Sequence, residues 1–178
     1  MGIHYENLDN DTRAHMVEEV DLGGHYVSPR LTPEGVAAWP NLIREAAQSH
    51  DDDWLAQELL NRNFVRSEES YTRDGITRIR RINQPHAALQ LAEGEFNRYY
   101  LRGLSQRAKK EGKDELVIYR GKKVVNPRPE SEAKIGARVP IAPLLESLRT
   151  NDFVNIEDAV GITGAPGGPN SGITCKLP

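Results

Sequence analysis

The sequence predicts an α+β fold, mainly helical, with a small antiparallel sheet and an extended C-terminal tail. Three observations carry that prediction. Helix-start signals precede apolar residues at helical spacing near Asn10, Thr32 and Asp51. An Asp74-Gly75 turn separates two β-capable runs, and Leu116–Val125 is a short β-rich stretch. The last part of the chain thins into Gly-Ala-Pro-Gly-Gly-Pro-Asn-Ser-Gly, which supports neither helix nor central strand.

Asp9 or Asn10 caps a first helix through about Val20, with Gly23 and Gly24 ending it. Thr32-Pro33-Glu34 starts a second, since it combines a capping hydroxyl, Pro at the first position and an acid at the positive end of the dipole. Val36, Trp39, Leu42, Ile43 and Ala46 share one face of it, and Pro40 should kink it or shift its start. Asp51, Asp52 and Asp53 lead into a third helix carrying Trp54, Leu55, Leu59 and Leu60 and ending near Asn63. A hairpin follows, with strands Phe64–Arg73 and Ile76–Ile82, although Ile76, Ile79 and Ile82 recur every third residue instead of every second. Pro85 opens a long helix to Lys110 with Gly112 beyond it. Pro127 and Pro129 force extension after the β-rich run, and Pro140–Leu148 is a last helix with Leu144, Leu145 and Leu148.

Charge divides the chain into three regions. Residues 1–60 carry a net −9, residues 61–138 a net +8 and residues 139–178 a net −2, so the overall −3 hides two opposed parts. We read 1–62 as an acidic helical N-terminal subdomain, 63–150 as a basic α+β core and 151–178 as an extended Gly/Pro-rich arm. Such a chain can pair its own halves, pair with copies of itself, or offer the basic part to a polyanion. The single Cys175 excludes an internal disulfide and a thiolate metal cluster. No apolar run reaches the length of a membrane span, and the first residues hold no hydrophobic signal region. The N-terminus lacks the myristoylation pattern because of Glu6, and Cys175-Lys176-Leu177-Pro178 is a prenylation box only in form.

Candidate sites follow from the same residues. On the long helix, Glu95, Arg98 and Arg102 form a stripe extended by Gln106 and Lys109, which could grip a partner or phosphates or simply ion-pair within the helix. Gly94 and Gly103 inside that helix cost about 1 kcal/mol each relative to Ala, which a close approach by another backbone would offset. Arg78, Arg80, Arg120 and Lys122 would make a phosphate-sized patch if they lay on one sheet face; the competing reading docks the basic segment on the acidic third. Ile173, Cys175 and Leu177 alternate with Thr174 and Lys176, a pattern for adding an edge strand to a partner, or for closing the chain's own sheet. His50 beside three aspartates fits a helix cap better than a metal site, and no His pair stands at i, i+4. A nuclease-type acid two residues before a strand lysine is missing, since Arg120 holds that place before Lys122. Nothing supports nucleophilic catalysis, and no cofactor fingerprint is present. A non-enzymatic assembly protein is therefore expected, with a nucleic-acid-binding accessory protein using segment 78–123 as the alternative.

The run LAEGEFNRYYLRGLSQRA, the later LVIYRGKKV with NPRPESEAKIG, and the closing GPNSGITCKLP resemble a head-associated structural protein type of tailed phages and prophages. The resemblance covers residues 85–178 and has no catalytic pattern to transfer. It implies a virion component located in the particle or the host cytoplasm. The length is short for a complete shell subunit, so it implies a capsid decoration, minor capsid or connector role. The implied partners are the chain itself or a capsid-type protein.

Overall fold

The computed structural model describes residues 2–162 and 171–178. It is α+β and mainly helical. Seven helices and five strands occur among the described residues, the strands forming two small antiparallel sheets. Of the tail, Pro166, Gly167, Gly168 and Pro169 lie outside the described residues.

Local chemistry sets the helix starts. In α1 (Asn10–Asp21) the Asp9 carboxylate accepts the Thr12 amide at 3.1 Å. In α2 (Pro33–Ser49) the Thr32 hydroxyl accepts the Gly35 amide at 3.1 Å. In α3 (Asp52–Asn61) Asp51 accepts the Trp54 amide at 2.9 Å. Helix α2 runs through Pro40, which is exposed; Val36 also faces outward, and Trp39, Leu42, Ile43, Ala46 and Ala47 take the buried face.

Strands β1 (Glu68–Arg73) and β2 (Ile76–Arg81) form a two-stranded ribbon turned at Asp74 and Gly75, both at positive φ as a tight hairpin turn requires. Helix α4 (Gln84–Lys110) is the axis of the molecule, and Phe96, Tyr99, Tyr100, Leu101 and Leu104 on it have no exposed area. Strand β3 (Glu115–Arg120) is followed by α5 (Pro129–Glu132), β4 (Arg138–Pro140), α6 (Ile141–Leu148), α7 (Ile156–Ala159) and β5 (Ile173–Lys176). The second sheet has the order β4-β3-β5, with Ile118 opposite Cys175 and Leu116 opposite Val139.

One hydrophobic cluster runs from Ile3 and Met16 through Trp39, Leu59 and Leu101 to Leu148, Ile173 and Cys175. The acidic third is therefore not a separate subdomain: α1 and α3 pack on α4 in the same core. Nor is the described end of the tail a free arm. Strand β5 closes the chain's own sheet: its backbone pairs with β3, and Thr174 and the Ile173 and Cys175 carbonyls bond to Asn97 and Tyr100 of α4. Close approach occurs at Gly103, where an added Cβ would lie 2.7 Å from the Met16 backbone nitrogen of α1.

Candidate interaction surface

The stripe on α4 turns inward. Arg98 is fully buried, and its Nε donates to the Leu148 carbonyl at 2.8 Å. Its terminal nitrogens donate to the carbonyls of Thr150 and of Asp152, the latter at 3.2 Å, and to Glu95 at 3.4 Å. The guanidinium thus caps the C-terminus of α6, where carbonyl groups and the dipole favour a cation. Burial pushes the Glu95 carboxyl up to about 7 against the pull of Arg98. Arg102 donates from Nε to Glu19 of α1 at 2.9 Å, and Gln106 and Arg149 donate to the same carboxylate. Burial alone would raise the Glu19 carboxyl, but hydrogen bonds from Arg149, Gln106 and Arg102 bring it down to about 2. Arg102 also lies 4.7 Å over the Tyr99 ring, whose hydroxyl shares a 2.7 Å hydrogen bond with His25 Nδ1. The expectation that Glu95, Arg98 and Arg102 meet a partner is corrected: they hold α1 and α6 to α4, at 3%, 0% and 2% exposure.

The C-terminal residues are likewise used internally. Ile173 and Cys175 are buried, and Thr174 Oγ1 donates to Asn97 while Asn97 Nδ2 donates to the Ile173 carbonyl. The Tyr100 hydroxyl donates to the Cys175 carbonyl at 3.1 Å, and the Leu177 amide donates to Asn7 at 2.9 Å. Burial raises the Cys175 thiol to about 12, so it is a core group and not a nucleophile at neutral pH.

The four candidate phosphate ligands separate. Arg120 lies at the end of β3, paired with Glu132 at 2.7 Å and donating to the Ser171 carbonyl. Lys122 is paired with the buried Glu93. Nearby, Ser131 donates to Glu157 at 2.6 Å and Arg128 lies 3.5 Å from the same carboxylate. Each of these three cations faces its own acid. Arg78 and Arg80 lie on β2 in the other sheet, so the single-face arrangement does not form. Among the described residues no group of three or more His, Cys, Asp and Glu could hold a metal, and no helix is long and apolar enough to cross a membrane. The aspartates at the start of α3 act locally: Asp52 accepts the Ile3 amide at 3.0 Å, and burial raises its carboxyl to about 6.

What remains outward is the β1–β2 ribbon. Its root is fixed: Arg66 donates its amide to the Arg30 carbonyl at 2.9 Å, Ile82 to Ser67 at 2.8 Å, and Gln84 Nε2 to Val65 at 2.6 Å. Beyond the root it touches little. All six residues of β2 are exposed, with Ile76 at 56% and Ile79 at 71%, and only Glu69 and Tyr71 of β1 are half-buried. Opposed residues share a face, so Glu69, Tyr71 and Arg73 lie with Arg80, Arg78 and Ile76, and Glu68, Ser70 and Thr72 with Arg81, Ile79 and Thr77. Arg80 covers the Tyr71 ring at 5.2 Å. Hydrogen bonds from Arg30 and then Arg80 hold the Glu69 carboxyl below its ordinary range. Each strand also keeps one unpaired edge. The hairpin is legible in the sequence but its exposure is not; the every-third spacing of its isoleucines, which leaves neither face apolar, is the available signal.

Comparison with protein-family models, with curated proteins and with solved structures finds no match for this chain.

Proposed function

We propose that the chain is a non-enzymatic structural or assembly protein of a phage-type particle, acting through the β1–β2 ribbon on another copy of itself or on a capsid-type protein. The observation that supports this reading is the ribbon: two free edges and two exposed isoleucines on a rod held at its root and by Arg30 on Glu69. A two-stranded hairpin is marginal in water without packing, so an ordered bare ribbon gains stability when something covers it. Backbone groups on its edges give affinity for an added strand, while the dense charge of Glu68, Glu69, Arg80 and Arg81 restricts pairing to a complementary surface. The resemblance to head-associated proteins points to the same role.

Sedimentation velocity tests the reading. The intact chain is compared with one in which Glu68–Arg81 is replaced by a short glycine–serine turn. We expect the intact chain to assemble and the ribbonless chain to remain monomeric with an unchanged thermal midpoint. A monomeric intact chain, or a ribbonless one that assembles like its parent, overturns the proposal.

A further inference from the structure

Among the arginines, ion pairing shows which guanidinium groups are left over; the exposed Lys109, Lys110, Lys123 and Lys134 are also unpaired and lie off the ribbon. Three acids of the N-terminal third are met by cations from later in the chain: Asp9 by Arg107 at 2.6 Å, Glu19 by Arg102 and Arg149, Glu6 by Lys176 at 3.0 Å. Among the described residues four arginines have no carboxylate partner: Arg13, Arg66, Arg78 and Arg81. Arg13 donates to the carbonyls of Ala47 and His50 at the end of α2, the position a helix C-terminus offers a cation. The other three all belong to the ribbon or its root. Arg66 gives only its Nε, to the Leu31 carbonyl, and the guanidinium groups of Arg78 and Arg81 make no hydrogen bond or ion pair. Glu68 stands across from Arg81 in register without pairing with it.

We infer that the ribbon enters a groove of double-stranded DNA. This rests on the reading of the ribbon as the docking element and gives it double-stranded DNA as a further partner, beside the protein partner proposed above. The two free arginines lie on opposite faces: Arg78 with Tyr71, Arg81 with Ile79. A flat acidic surface would engage one face and strand the other. A groove has a phosphate wall on each side, and the major groove, about 12 Å wide, admits a two-stranded ribbon. Six residues per strand give about 20 Å of reach, enough to cross its depth of about 8.5 Å. Arg66 at the root sits where the ribbon leaves the body, positioned for the phosphate at the groove's rim. Single-strand recognition fits less well, because it needs a bare aromatic face and Tyr71 is covered by Arg80.

Anisotropy of a labelled duplex of mixed sequence, about 30 base pairs long, tests this across salt. Three phosphate contacts give a slope of about −2.7 in log K against log salt, hence binding about 40-fold weaker at 200 mM than at 50 mM. In Arg78→Gln/Arg81→Gln the slope should fall to about −1, with the thermal midpoint unchanged. No retention of the intact chain at about 50 mM salt overturns the inference, as does an unchanged slope in the double variant or equal binding of a single strand. Assembly of the same proteins, read by sedimentation, separates the two proposals. Ribbon-dependent assembly without duplex binding overturns the DNA partner and leaves the assembly role standing. Arginine-dependent duplex binding by a chain that assembles without its ribbon does the reverse.

Discussion

Glu19 binds α1 to α4 and to the residue after α6, and replacing it by Gln tests how much that junction contributes. The carboxylate is 2% exposed and receives Arg102 at 2.9 Å, Gln106 at 2.8 Å and Arg149 at 3.1 Å. Its carboxyl is held at about 2 against an ordinary 4.5. At about 1.4 kcal/mol per unit, the charged form stabilises the folded state by about 3 kcal/mol at pH 7. Removing one partner of a buried pair costs a similar amount, because the buried Arg102 is then left without its counter-charge. The pKa is depressed on folding, so this stability is present above the unfolded value near 4.5 and is lost as pH falls toward 2. Urea unfolding of parent and Glu19→Gln should therefore differ by about 3 kcal/mol at pH 7 and by about 2 kcal/mol at pH 3.5. A difference below about 1 kcal/mol at pH 7, or one that does not narrow in acid, would refute the argument.

Two further perturbations address packing. Gly103→Ala should gain about 1 kcal/mol in helix propensity but lose more by pushing α1 from α4, since the new Cβ would meet the Met16 backbone at 2.7 Å; net destabilisation of 1–3 kcal/mol, about, is expected by urea titration, and a stabilised variant would contradict the close approach. Deleting residues 171–178 removes buried Ile173 and Cys175 and leaves Asn97 and Tyr100 without their partners, so the thermal midpoint should drop by about 10 °C or more; an unchanged midpoint would restore the free-arm reading of the tail.

Features that depend on neighbours in sequence could be read from it. Asp9, Thr32 and Asp51 cap the helices they precede, and Asp74-Gly75 makes the turn between the strands it separates. The need for a close neighbour at a helical glycine was also visible at Gly103, though not that the neighbour is Met16. Destinations were not visible. The Glu95, Arg98, Arg102 stripe was evident, but Glu19 lies 83 positions from Arg102 and the α6 carbonyl 50 from Arg98, and no local pattern encodes such separations. The alternation of Ile173 and Cys175 showed a strand edge without showing whose sheet it joins, because backbone pairing looks the same within and between chains. Strand β4 has three residues and α5 and α7 four each, too few for any periodicity to register.

The junction of residues 4–7 with β5 and its neighbours has a consequence for synthesis. The Leu177 amide meets Asn7 and Lys176 meets Glu6, each across 170 positions, while His4 donates to Gly121 beside the start of β5. A nascent chain cannot close this sheet until β5 has left the ribosome. Until then one edge of β3, and Asn97 and Tyr100 of α4 that bond to β5, stay open to other chains. Closing so long a loop carries an entropy cost that the contacts made on closure must offset. In a crowded assembly line of identical chains, that interval is when one molecule's last strand can be captured by its neighbour's sheet.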